Sequence, residues 1–261
     1  MNVLFIGDIT ARIGRRAVQK ILPGLKKELG VDFVITNCEN ATTGQGMTEK
    51  GYEELTGAGV DFMTSGNHIW RKKDFISQLD NKEMKVIRPA NYPDNTPGRG
   101  FEIVEVGAQK VAILNFQGLS FMKPELDSPF QKAEKVLKQV SDIKIKVVDF
   151  HAEATSEKVA FGLFLDGNVS AVLGTHTHVP TADARITEKG TALVSDVGMV
   201  GPKDSVLGVR KDIIIKKFLT GLPGKHEYDT EGICVFNSVL IDIDKSGKAK
   251  SIERVDREVE I

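Results

Sequence analysis

Short apolar runs, each closed by Gly, Asp, Asn or His, alternate along this chain with longer stretches whose apolar residues fall three or four apart. Val3 to Ile6 is wholly apolar and stops at Gly7-Asp8, which predicts a strand buried on both faces, as in a parallel sheet. Arg15 to Leu29 carries Val18, Ile21, Leu22, Leu25 and Leu29 at helical spacing, with a kink or break expected at Pro23. Phe33 to Thr36 and Phe62 to Thr64 read as buried strands, and Thr48 to Leu55 as a helix capped by Thr48. A short helix at Phe75 to Leu79 precedes a loop rich in Pro, Asn and Gly from Asn91 to Gly100. Phe101 to Val106 and Val111 to Phe116 then form a predicted hairpin about Gly107-Ala108. Helices at Pro129 to Val140 and Ser156 to Leu165 alternate with strands at Ile145 to Phe150, ending at His151, and Ala171 to Leu173, ending at Gly174. Late strands are expected at Ala182 to Ile186, Ala192 to Val194 and Val235 to Ile243, with a helix from Arg210 to Leu219 between the last two. The order predicts an α/β fold of two packed sheets with helices outside them, in one domain over residues 1–261.

Composition adds boundaries. Apolar residues make up 41% of the 261 positions and charged ones 27%, ordinary globular usage. A formal net charge of −1 argues against a broad electrostatic grip on nucleic acid, so no stable nucleic-acid complex is expected, while a locally held nucleotide is compatible. The basic runs Lys144 to Lys146 and Lys245 to Lys250 read as solvated surface. Cys38 and Cys234 have no CxxC spacing, which fits a reducing compartment. The first apolar run is too short for a signal peptide, and no stretch approaches the ~18 apolar residues of a membrane span. The cytoplasm is the expected location.

Four of the five histidines then change the picture. They lie in Ser65-Gly66-Asn67-His68, Val148-Asp149-Phe150-His151 and Gly174-Thr175-His176-Thr177-His178, each where a predicted strand ends; other strands end in Gly7-Asp8 and Asn37-Cys38-Glu39-Asn40. Loops at the carboxyl ends of such strands converge on one crevice. Asp8, Glu39, Asn40, Asn67, His68, His151, His176 and His178 would therefore share one rim. That mix of carboxylate, carboxamide and imidazole suits transition ions such as Mn, Fe or Zn, and a carboxylate can bridge two of them. For His176 and His178, extended backbone would turn both imidazoles to the same side.

These motifs resemble the calcineurin-like metallophosphoesterases, whose signature runs Asp-x-His, Gly-Asp, Gly-Asn-His, a lone His and Gly-His-x-His. Gly7-Asp8, Gly66-Asn67-His68, His151 and Gly174-Thr175-His176-Thr177-His178 supply the pattern. Thr10 stands where the first motif has a histidine, and Glu39-Asn40 where the second has its bridging aspartate. Both departures resemble the YmdB-type branch, a group of bacterial enzymes of about this length. That likeness covers essentially the whole chain, including Asn37-Cys38-Glu39-Asn40-Ala41 and Ser195-Asp196-Val197-Gly198-Met199. It implies a sandwich of two mixed sheets flanked by helices and two metal ions per subunit. Asp8, Glu39, Asn40 and His178 would hold one ion, and Glu39, Asn67, His151 and His176 the other, with Glu39 bridging. It implies iron, with manganese as a functional substitute, a homo-oligomer, and a 2′,3′-cyclic nucleotide opened at the 2′-oxygen to leave a 3′-phosphate.

Two such ions lower the pKa of a bridging water and clamp a phosphoryl group, so the expected reaction is phosphoester hydrolysis; the branch resemblance implies small phosphodiesters, and a compact, open site implies broad specificity. His68, next to Asn67, is placed to protonate the leaving alkoxide. A phosphomonoesterase or protein phosphatase would use the same ligands, and a regulatory scaffold would keep the site as a vestige. Elsewhere, His226 reads as surface or substrate-lining, Cys38 as buried packing, and Arg12, Arg15 and Arg16 as solvated charges or phosphate-steering groups. Trp70 and Tyr92 read as core or base-stacking rings. The glycines of 44–46 and 198–201 either contact substrate or permit turns.

Overall fold

A computed structural model describes residues 1–261. Asn2–Ile6 pairs in parallel with Phe33–Asn37 and antiparallel with Ser238–Ile243, at the centre of a five-stranded sheet completed by Phe62–Thr64 and Ala249–Arg254. Phe101–Val106, Gln109–Gln117, Ile145–His151, Ala171–Thr175, Ala192–Val194 and Arg185–Ile186 lie side by side in a six-stranded sheet. The alternation along each strand builds the layers. Val3, Phe5, Phe33 and Ile35 face Val111, Ile113, Val147 and Leu173, forming the core between the two sheets. Leu4, Ile6 and Val34 point the other way, against Ile13, Val18 and Leu22 of the helix Ala11–Leu29. On the far side, Leu114, Phe116, Val148 and Phe150 pack under Ala133 and Val136 of Pro129–Gln139 and Phe161 of Thr155–Phe164. The central strands of both sheets are buried on two faces, which is why they read as apolar runs, while the edge strands Phe101–Val106 and Ala249–Arg254 alternate with charged residues. The fold is thus the expected α/β sandwich of two mixed sheets between helical layers.

A third, four-stranded sheet of Arg257–Glu260, Ile233–Phe236, Met199–Pro202 and Asp8–Ile9, and a two-stranded ribbon of Ser205–Val206 and Val209–Arg210, were not predicted. Their strands are too short to carry a pattern. The single strand expected from Val235 to Ile243 is two, Ile233–Phe236 and Ser238–Ile243, in different sheets. Asn237 separates them: its N–H donates to Met199 O and its carbonyl accepts from Gly7 N, so one residue serves both sheets.

The helix Ala11–Leu29 runs unbroken through Pro23. Pro23 faces solvent, and the buried stripe of Val18, Leu22 and Leu25 holds the helix across the missing hydrogen bond. Arg15 is not a solvated charge either. It is buried, its Nε donates to Glu54 Oε2 at 2.6 Å, and its guanidinium also meets Ala41 O, so it ties the loop after Asn40 to two helices. Lys146 likewise departs from the surface reading. It lies buried in the strand Ile145–His151 with its ammonium on Ile143 O, and burial lowers its pKa.

Candidate metal centre

Every residue expected on the shared rim lies at the carboxyl end of a strand or just beyond it. Seven of the eight are joined by close polar contacts. Glu39 Oε1 is 3.1 Å from His151 Nε2 and 3.2 Å from His68 Nδ1. His151 Nε2 is 3.2 Å from His176 Nδ1. Asp8 Oδ1 lies 3.9 Å from His151 Nδ1 and 4.0 Å from His178 Nε2, while its Oδ2 accepts from His176 N at 3.1 Å. The carboxamide of Asn40 sits between two rings, Oδ1 2.8 Å from His68 Nδ1 and Nδ2 3.1 Å from His178 Nε2. Asn67 makes no hydrogen bond to the others through its side-chain oxygen, which is buried and unpaired. Gly66 makes the approach possible. A Cβ there would stand 2.2 Å from Glu39 Oε2 and 2.3 Å from His151 Cδ2.

His176 and His178 reach the site by a route other than the extended one expected. The strand ends at Thr175, and both histidines have positive φ, 98° and 66°. For β-carbon-bearing residues this costs of order 1–3 kcal/mol each, and it persists only where surrounding contacts impose it.

The residues fit a cation by two tests. Asp8 Oδ1 and Asn67 Oδ1 are buried acceptors without a hydrogen bond, a condition costing about 1–3 kcal/mol each unless something positive meets them, and Glu39 Oε1 has only the imidazole nitrogens of His151 and His68 beside it. His151, His176 and His178 also have their outward nitrogens engaged. His151 Nδ1 meets Thr175 Oγ1 at 2.8 Å, His176 Nε2 meets Glu153 Oε2 at 3.0 Å, and His178 Nδ1 meets Leu207 O at 3.0 Å. Thr175 Oγ1 in turn donates to Asp149 Oδ1 at 2.7 Å, so it accepts the His151 proton. Donating outward makes His151 Nε2, His176 Nδ1 and His178 Nε2 the inward nitrogens, which can bind a cation once His151 has shed its inward proton. That is the arrangement of metal-binding imidazoles.

The electrostatics show which proton a cation would displace. Burial pushes the Asp8 carboxyl up. Burial acts the same way on Glu39, yet the neighbouring imidazoles of His151 and His68 outweigh it and hold that carboxyl well below its usual range. Burial works against charge on His151, but Glu39, Asp8 and Asp149 raise it to about 9, so without a cation His151 keeps a proton on Nε2, facing Glu39 Oε1 at 3.1 Å. His176 is lowered to about 3, by burial and then by His151. The centre thus concentrates negative potential at one point and disfavours a second proton, conditions under which a multivalent cation is the better occupant.

Several participants escaped the sequence reading. Asp149 is held by Asn37 Nδ2 at 2.9 Å and by Thr64 and Thr175, and burial pushes it up to about 7. Its place two residues before His151 on one strand was a legible signal. Glu153 and the Leu207 carbonyl had none. Trp70 and Tyr92 pack on each other, ring centroids 4.4 Å apart, with Trp70 Nε1 on Pro97 O and Tyr92 Oη on Gln117 Oε1. Cys38 is fully buried, and burial raises its thiol. His226 is exposed and lines, with Arg12, Arg15, Thr42, Thr43 and Tyr228, a cavity of about 550 Å³. Gly44, Gly46 and Gly198 all have positive φ, as turns require.

The sequence pattern of a family described as "YmdB-like protein" matches residues 4–255. The chain is 46% identical to a 2′,3′-cyclic-nucleotide 2′-phosphodiesterase of Bacillus subtilis (strain 168), over 98% of this chain and 96% of that protein. A crystal structure of a hypothetical protein from Thermus thermophilus superposes with a TM-score of 0.93 at 41% identity, covering 99% of both chains. A Staphylococcus aureus structure described as "Putative 5′-Nucleotidase" shares the fold at 15% identity, with a TM-score of 0.58 over all of this chain and 54% of its own.

Proposed function

Starting from the fact that this chain belongs to the YmdB-like family, we propose that it is a metal-dependent phosphodiesterase that opens 2′,3′-cyclic nucleotides to 3′-nucleotides and accepts other small phosphodiesters. The observation that carries the reading is the outward partner of each of three histidines, which turns their other nitrogens towards the buried carboxylates of Asp8 and Glu39. Asp8, Glu39, Asn40 and His178 would hold one ion and Glu39, Asn67, His151 and His176 a second, with Glu39 bridging. We assign the pair to iron, with manganese able to replace it. When bound, such a pair supplies hydroxide near neutral pH and offsets the charge of the phosphoryl oxygens.

The chain's own residues do the rest. Thr175 and Asp149, Glu153 and the Leu207 carbonyl fix the tautomers of His151, His176 and His178. Asn40 Oδ1 takes the Nδ1 proton of His68, and His68 N donates to Glu39 Oε2 at 3.1 Å, which leaves Nε2 as the nitrogen that delivers a proton. With 21% of its side chain exposed, His68 can meet a substrate. As the P–O2′ bond breaks, its proton passes to the 2′-oxygen.

We take residues 1–261 as one catalytic unit, in the cytoplasm and self-associating. Two buried free cysteines support the compartment. Exposed Phe218, Leu219 and Leu222 support association. The test is elemental analysis of protein purified without added metal, then incubation with 2′,3′-cyclic AMP, bis-p-nitrophenyl phosphate and p-nitrophenyl phosphate. Two ions per chain, a 3′-nucleotide product and faster turnover of the diester than the monoester are expected. Intact diesters with Mn or Fe present would overturn the proposal.

A further inference from the structure

Outside the centre the chain buries one complete ion pair, Lys158 and Asp196, 2.6 Å apart with 3% and 0% of their side chains exposed. A pair so fully desolvated seldom stabilises a fold more than apolar residues of equal volume would. Its contacts point instead to the loops that bear the centre. Asp196 Oδ2 accepts from Thr177 N at 3.0 Å and from Thr177 Oγ1 at 2.7 Å. Thr177 is the residue between His176 and His178, both in left-handed conformations. Asp196 Oδ1 accepts from Gly198 N at 2.8 Å, and Gly198 O accepts from Asp8 N at 3.0 Å. One carboxylate thereby clamps the turn that carries two imidazoles and the strand that carries Asp8. Lys158, on the helix Thr155–Phe164, balances its charge where water does not.

We propose that Asp196, with Lys158 as its counter-ion, is a positioning residue that holds His176, His178 and Asp8 at metal-binding geometry. This rests on the metal reading above. Outer partners of metal ligands, when removed, typically cost about 10–100-fold in affinity.

The test is Mn²⁺ binding to metal-stripped full-length protein, measured by equilibrium dialysis, with thermal unfolding recorded alongside. Asp196→Asn combined with Lys158→Met removes both charges at similar volume and is expected to fold while its Mn²⁺ dissociation constant rises about 10–100-fold. A purely structural pair would lower the unfolding temperature and leave the constant unchanged, and that result overturns the proposal. If the double variant does not fold, Thr177→Val takes its place. It keeps the ion pair and deletes only the hydroxyl bond, and about a threefold or larger rise supports the proposal while an unchanged constant overturns it. Wild-type protein that binds no Mn²⁺ would overturn the metal reading, and this inference with it. Tight wild-type binding with an unaffected variant overturns this inference alone.

Discussion

His68 and Gly66 stand two positions apart in one loop, yet their substitution should fail in different ways. His68→Ala removes a side chain whose only polar neighbours are Asn40 Oδ1 and Glu39 Oε1. Its kcat on cyclic nucleotides is expected to fall about 10²–10⁴-fold with metal content unchanged, measured by steady-state kinetics beside elemental analysis. Loss of metal instead would make it a ligand. Gly66→Ala adds a methyl group 2.2 Å from Glu39 Oε2, closer than any carbon can stay. Metal content itself should drop, together with the unfolding temperature. The eight rim residues were readable because their chemical types recur at strand ends. The groups that orient them were not: Thr175 is an ordinary strand residue in sequence, and Leu207 contributes only a carbonyl.

Among the elements, the two-face burial of the central strands made them legible, since Val3 to Ile6 or Val111 to Leu114 can be nothing but interior. Legibility failed where an element is set by its partner rather than by its own pattern. Asp8–Ile9 is a strand only because Met199–Pro202 lies beside it. Pro23 marks the opposite case, a local rule outvoted by packing. Since Pro23 is exposed within the helix Ala11–Leu29, Pro23→Ala should restore a backbone hydrogen bond and remove a steric clash. A gain of about 1–3 kcal/mol is expected, less what proline saves in the unfolded chain. Calorimetry should show the midpoint rising by roughly 2–4 °C per kcal/mol, and a lowered midpoint would show that the ring packs usefully.

For the whole molecule, the centre gathers side chains from positions as far apart as Asp8 and His178, so it can exist only when both sheets are in place. A ligand that binds the folded state alone stabilises it, by about 2.7 kcal/mol at a hundredfold excess over Kd. Mn²⁺ should therefore raise the unfolding midpoint by several degrees, and Glu39→Gln should abolish most of that rise. A metal-independent midpoint in the wild type would contradict the shared centre. The order of synthesis matters too. Asn2–Ile6 is flanked on one side by Ser238–Ile243, and the Asp8 strand leans on Met199–Pro202. On the ribosome, Asn2–Ile6 must wait for Ser238–Ile243, so the cage of ligating side chains cannot be secured until that distant segment has cleared the exit tunnel.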